Sequence, residues 1–261
     1  MTERPTSSTA RLWPREHGAY VQLLAPLVAV FLATGATAAA LLFALGGGLA
    51  FIANESLLVI LGHRGRRSRE RDGLRARRAL LLLVPIAVAS GIAGFSLGPA
   101  DARASAALVA GPAVVLVLLA WRRQERSLAG ELVAAVVLTG VAAPTAVAAG
   151  MPWNDALIVW AAWACGYAST VIGVHRVIAR HRRRATRRDR VIGFGMVLAT
   201  LAVITGAVLT PWALVALPLV ASSAALVLWP PPASRLRTIG LGLVGASLVS
   251  IAVVVACSPA G

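Results

Sequence analysis

The chain has 261 residues, of which 58% are hydrophobic and only 13% charged, and this composition excludes an ordinary soluble domain. All 25 basic residues are arginine, and the formal net charge is +15. These arginines cluster between apolar runs rather than on a separate domain, which argues against nucleic acid as a partner. We therefore expect a membrane protein.

Residues 1–17 are polar and basic, and we expect them to form a cytoplasmic N-terminal tail. A single transmembrane helical domain is expected over residues 18–261. The first apolar run, 19–34, admits a second interpretation, because small residues at 34–38 resemble a signal-peptide cleavage region. We favour an uncleaved first helix, since further apolar runs follow it directly.

Eight more apolar runs follow, and each is close to the roughly 20 residues that a helix needs to cross a bilayer. In hydrocarbon, helices satisfy their own backbone groups. The predicted fold class is therefore all-α, a polytopic membrane helical bundle of about nine transmembrane helices. The eight runs are 38–61, 79–97, 104–121, 129–149, 156–178, 191–209, 212–229 and 237–257.

The arginines also predict an orientation. If the N-terminus is cytoplasmic, the inward side holds 24 of the 25 arginines, and only Arg103 falls outside. Membrane proteins keep basic residues on the cytoplasmic side, so we expect the N-terminus in and the C-terminus out. The inward loops are then 62–78, 122–128, 179–190 and 230–236.

The most unusual stretch runs from Phe51 to Arg78. Asn54 and Glu55 lie within the second apolar run, about 9 Å from its inner end at 1.5 Å per residue. An ionisable group at that depth is costly unless it is paired, so we expect Glu55 to face the bundle interior and meet a cation. The candidate cations are His17, His175 and Arg176. The following loop carries eight arginines, which we expect to be solvated and to contact anionic lipid headgroups.

Polar residues at the inner ends of several helices form a candidate site open to the cytoplasm. Some have simpler explanations, because an acid such as Glu131 is favourable in the first turn of a helix. No metal-binding or nucleophile motif occurs, so we predict neither a metal nor a cofactor. The candidate residues are Glu16, His17, Gln22, Asn54, Glu55, Arg126, Glu131, His175, Arg176 and Arg180.

Three stretches carry a resemblance to a known family. The segment WPREHGAYVQLLAPL at 13–27 opens the first helix with Pro-x-Glu-His-Gly-Ala, and ERSLAGEL at 125–132 and the inner end of the sixth helix are similar too. On these residues the chain resembles the YwiC-like family of bacterial membrane proteins. The resemblance implies a multi-pass protein of the bacterial plasma (inner) membrane and no particular reaction.

The architecture is also similar to that of UbiA-type intramembrane prenyltransferases. Those enzymes hold Mg²⁺ and a prenyl diphosphate on two Asp-rich motifs at the inner ends of helices two and six. Here Leu58 occupies the position of the next expected acid of the first motif. His175, Arg176 and Arg180 stand in place of the second motif.

The leading hypothesis is an integral inner-membrane protein with a cytoplasm-facing polar and cationic site for an anionic or phosphorylated lipid-like ligand. One alternative is a UbiA-like prenyltransferase, which predicts an apolar tunnel above Asn54. Another is a transporter or an accessory membrane protein. A transporter predicts polar residues at both faces or broken helices at the midplane.

Overall fold

The structure is a computed structural model that describes residues 17–181 and 187–258, and these residues form helices joined by turns, without a strand. Two of the helical elements are 3₁₀ turns, Pro211–Ala216 and Ala233–Arg235. The α-helices are α1 (His17–Thr34), α2 (Ala38–Ile60), α3 (Arg66–Leu97), α4 (Ala100–Trp121), α5 (Leu128–Gly140), α6 (Ala142–Ala148), α7 (Trp153–His181), α8 (Arg187–Leu209), α9 (Leu217–Leu228) and α10 (Leu236–Cys257).

The nine predicted membrane segments all coincide with helices. Helices α5 and α6 together form the fifth segment, and the first 3₁₀ turn with α9 forms the eighth. Among the described residues, seven segments are long and apolar enough to cross a membrane, and α1 is a shorter apolar helix. The prediction of a polytopic, all-α membrane bundle is therefore confirmed.

Helix α3 is longer than the apolar run that predicts it. It begins at Arg66, so the predicted loop over 62–78 is wrong: only its first residues form a turn. The stretch is rich in good helix formers such as arginine, alanine and glutamate. Arg66 also donates its Nε–H to Glu70 Oε1 at 2.7 Å, one helical turn away. The apolar run marks only the part of the helix that suits lipid.

The helical hydrogen bonding of the fifth segment is interrupted between α5 and α6, where Val141 keeps helical backbone angles. Pro144 has no N–H, so the carbonyl of Gly140 lacks its helical donor four residues later. Groups near the break bond within the bundle: Thr139 donates to the carbonyl four residues before it at 2.8 Å. Trp160 of α7 donates its Nε1–H to the carbonyl of Val136 at 3.1 Å. Every residue of α6 is buried.

Helix α7 forms the centre of the bundle, where it packs against α5, α6, α9 and the first 3₁₀ turn. Its Trp163 is fully buried and stacks on Tyr167, with ring centroids 5.7 Å apart. The Tyr167 hydroxyl lies 3.2 Å from the carbonyl of Val21 on α1 and 2.9 Å from Ser247 Oγ on α10. One side chain thus ties three helices together.

The helix ends gather at two opposite ends of the bundle. We name one the arginine-rich end, defined by the turns 61–65 and 122–127 and the first turns of α3 and α10. At the opposite end, Thr37 donates to the carbonyl of Ala148 at 2.8 Å, and Ser258 donates to that of Ala33 at 3.0 Å. Five ion pairs join described residues, and all five lie at the arginine-rich end.

Candidate functional site

The most deeply buried ion pair at the arginine-rich end joins Glu55 of α2 to Arg64 in the turn that follows. Arg64 donates its Nε–H to Glu55 Oε1 at 2.7 Å and a second guanidinium N–H to Oε2. The two side chains are only 4% and 13% exposed. Gly62 and Gly65 both have positive φ, so they let the chain reverse and bring Arg64 back over α2. The bidentate contact compensates a carboxylate that would otherwise be buried alone.

This geometry confirms the predicted burial of Glu55 and corrects its predicted partner. The cation that meets Glu55 is Arg64, whereas His175 contacts a different carboxylate and Arg176 lies beside it on α7. The side chain of His17 lies outside the described residues. The sequence interpretation looked for a partner on another helix and missed one nine positions along the chain.

A second contact joins two turns of the arginine-rich end. His63 Nδ1 lies 3.1 Å from Glu125 Oε1, and this links the α2–α3 turn to the α4–α5 turn. The side chains are 5% and 19% exposed. Neighbouring residues of one turn, His63 and Arg64, therefore engage acids on two different elements. His63 was not among the sequence candidates, because its contact depends on which turns become neighbours in the bundle.

The α4–α5 turn folds tightly over the start of α5. Ser127 caps α5 by accepting the Gly130 N–H at 3.0 Å, and its hydroxyl donates to the carbonyl of Gln124 at 2.7 Å. A Cβ on Gly130 would lie only 2.3 Å from the Gln124 carbonyl oxygen, so only glycine fits there. The ERSLAGEL stretch thus builds a compact cap that fixes where Glu125 and Glu131 lie.

A third contact joins α5 to α7. Glu131 Oε2 lies 2.8 Å from His175 Nε2, with the two side chains 41% and 37% exposed. The structure therefore brings together two of the predicted site residues. Because both remain partly exposed, this pair is more accessible from outside the bundle than the buried Glu55–Arg64 pair.

The first turns of α3 carry a dense cationic surface, which we name the arginine ridge. All the arginines of the ridge are exposed, whereas Asp72 and Ala76 on the same helix are buried. A small cavity of about 190 Å³ interrupts the ridge between Ile60 of α2 and Gly73 of α3, and Arg69 and Arg77 line it. The ridge consists of Arg66, Arg67, Arg69, Arg71, Arg75, Arg77 and Arg78.

The remaining predicted site residues are dispersed. Asn54 is exposed, next to the buried Glu55, and Arg126 is exposed in the α4–α5 turn. Gln22 lines a separate cavity with α7 and α10. Glu16 and the side chain of Arg180 lie outside the described residues. Within the described ranges, no group of three or more His, Cys, Asp or Glu side chains is placed to hold a metal ion.

Comparison with known proteins gives one match. The family model described as YwiC-like protein matches residues 13–146, which is about half of the chain and includes α1 to α5. No curated protein and no solved structure matches the chain.

Proposed function

The chain belongs to the YwiC-like family, and on that premise we propose that its arginine-rich end faces the cytoplasm at a bacterial inner membrane and binds an anionic or phosphorylated lipid-like ligand. The arginine count supports this orientation, because 24 of 25 arginines then lie on the cytoplasmic side.

The observation that carries the proposal is the arginine ridge with its small cavity. Seven exposed arginines lie on helical turns directly before the apolar part of α3, where we expect the lipid headgroups. Each basic residue near an anionic membrane surface contributes about 1 kcal/mol of attraction. Arg69 and Arg77 flank the cavity of about 190 Å³, and the side chains of Ile60 and Leu74 supply apolar surface beside it.

The acids of this end leave the ridge positive. Glu55 is bound by Arg64, Glu125 contacts His63, and Glu131 contacts His175. On α3 itself Glu70 pairs with Arg66 and the buried Asp72 lies beside Arg71, so two acids stand against seven ridge arginines. A guanidinium group binds phosphate oxygens through paired N–H donors, so a phosphate-bearing headgroup suits the space between Arg69 and Arg77.

The test compares two double variants of equal charge. In Arg69→Gln/Arg77→Gln the cavity loses both arginines, whereas Arg67→Gln/Arg75→Gln removes two ridge arginines that do not line it. Native mass spectrometry of the detergent-purified protein, titrated with phosphatidylglycerol or phosphatidylcholine, counts the lipids retained.

We expect the natural protein and the Arg67/Arg75 variant to retain phosphatidylglycerol in preference to phosphatidylcholine. The Arg69/Arg77 variant should lose about tenfold in affinity for phosphatidylglycerol, as expected for the loss of charge-assisted hydrogen bonds. Equal retention of both lipids by the natural protein would refute the proposal. Equal losses of phosphatidylglycerol affinity in both variants would show that the lipid responds to the overall surface charge and not to a specific site at the cavity.

The two alternatives have less support. For a prenyltransferase, Asn54 is exposed and Glu55 is bound by Arg64, so neither begins an open acidic motif. For a transporter, the interruption between α5 and α6 is a favourable observation within the part of the chain that the structure describes. The groups at that break bond to each other and to Trp160 inside the bundle, and α6 is wholly buried.

A further inference from the structure

A second and larger cavity, of about 660 Å³, lies between α1, α7 and α10. Ser258 near the end of α10 donates to the carbonyl of Ala33, which lies 225 positions earlier in the chain and sets the register of the two helices. The same offset puts Gly18, in the first turn of α1, level with Leu243, and both residues line the cavity.

The innermost wall of the cavity is polar. Tyr167 and Ser247 are linked by a hydrogen bond of 2.9 Å, and Ser247 also donates to the carbonyl of Leu243 at 2.8 Å. Gln22 faces the same space, and its carboxamide makes no hydrogen bond to another described residue. A carboxamide offers two donors and one acceptor, so Gln22 can bind a hydroxyl or a carbonyl of a ligand.

The mouth and the remaining side of the cavity are cationic and apolar, respectively. Arg237, in the first turn of α10, is exposed and lines the mouth of the cavity at the arginine-rich end. Leu241 and Val244 lie between the mouth and the polar wall. Their side chains are 65% and 38% exposed, so this side of the cavity is open to the outside of the bundle, where we expect lipid. In order from the mouth, the cavity presents one cation, an apolar side open to the bilayer, and a hydrogen-bonding wall.

We propose that this cavity binds a single-chain anionic amphiphile: a phosphate group at Arg237, a hydroxyl or ester carbonyl at Gln22, and one hydrocarbon chain that leaves over Leu241 and Val244. A lysophosphatidate has all three parts. The site shares no residue with the arginine ridge, so it stands whether or not the ridge binds lipid.

The probes are 1-oleoyl lysophosphatidate and 1-oleoyl lysophosphatidylcholine, which share a chain and a glycerol but differ in headgroup charge. Binding to the full-length protein in detergent is measured by native mass spectrometry. We expect the natural protein to bind lysophosphatidate at least tenfold more tightly than lysophosphatidylcholine. Arg237→Gln should lose about tenfold in affinity for lysophosphatidate, whereas Arg237→Lys should retain most of it. Gln22→Ala should weaken both probes, because it removes the contact to the part they share.

The matched control is Arg235→Gln, which removes an exposed arginine two positions away that does not line the cavity. It should bind like the natural protein. Arg69→Gln/Arg77→Gln removes lipid binding at the arginine ridge, and in that background Arg237→Gln should still cause its own loss of about tenfold. Equal losses in Arg235→Gln and Arg237→Gln, or equal binding of the two probes by the natural protein, would overturn the proposal. Competition by millimolar inorganic phosphate as strong as that by lysophosphatidate would also overturn it, since free phosphate would then be the ligand.

A lysophosphatidate with a photoreactive chain locates the site independently of any substitution. We expect crosslinks to the first half of α10 and to α1. Crosslinks confined to α3, or to peptides from residues 1–16, would show that another part of the protein holds the lipid, and either result would overturn the proposal.

Discussion

The two ends of the α2–α3 hairpin are held together by different forces. At the arginine-rich end, Glu55 and Arg64 form a buried ion pair. At the opposite end the helices meet without charges: a Cβ on Gly94 of α3 would lie 3.2 Å from the backbone nitrogen of Phe43 on α2. Apolar side chains gain little by leaving lipid for each other, so helices within the bilayer associate by close contact between small residues. The two ends of the hairpin are therefore fixed by different interactions: an ion pair between α2 and the turn at one end, and close contact between α2 and α3 at the other.

The largest effect is expected at the charged end of this hairpin. Glu55→Ala and Arg64→Ala should each lower the free energy of unfolding by about 3–5 kcal/mol, because each leaves an uncompensated buried charge. The free energy lost by the double variant should be clearly less than the sum of the two single losses, because each single variant removes the same ion pair. Denaturant titration in mixed micelles measures all three. Additive losses below about 1 kcal/mol would mean that the pair does not hold this end together.

A smaller effect is expected at the opposite end. Gly94→Ala should cost about 1–3 kcal/mol, because the added methyl meets the α2 backbone, which cannot yield as a flexible side chain can. The control is Gly91→Ala, one turn earlier, where an added Cβ meets nothing within 4 Å. That variant should keep or slightly raise stability, since alanine favours helix. Equal losses at both positions would indicate a backbone effect rather than a close approach.

The smallest effect is expected on the arginine ridge. Arg66 and Glu70 form an ion pair one helical turn apart, but their side chains are 92% and 61% exposed. Water screens such a pair, so Arg66→Ala should leave the midpoint of unfolding unchanged in the same titration. A loss comparable to that of Arg64→Ala would remove the distinction between buried and exposed pairs on which the comparison rests.

The sequence predicted the spans well because membrane helices are specified by composition. The apolar runs from Ala38 and from Ala79 both coincide with helices, and the cost of a lone buried carboxylate correctly predicted that Glu55 turns inward. The start of α3 was missed because its arginines suit water and a helix equally well. The apolar pattern marks only the lipid-exposed part of such a helix.

The partner of Glu55 could have been found from local signals. Two glycines, Gly62 and Gly65, flank His63 and Arg64, and such spacing indicates a chain reversal that returns a long side chain to the preceding helix. The His63–Glu125 contact and the cavity beside α10 have no comparable signal. The first depends on which turns become neighbours, and the second on the register between helices far apart in sequence.

The orientation of the two ends is the central claim, because the proposed function places the arginine-rich end at the cytoplasmic face. Fusions of alkaline phosphatase, which is active only outside the cytoplasm, test it directly. Fusions after residues 70, 125, 185 and 233 should be inactive, and a fusion at Gly261 should be active, since α10 runs from the arginine-rich end to the opposite one. An inactive fusion at Gly261 together with active fusions after residues 70 and 125 would place the arginines outside and contradict the account.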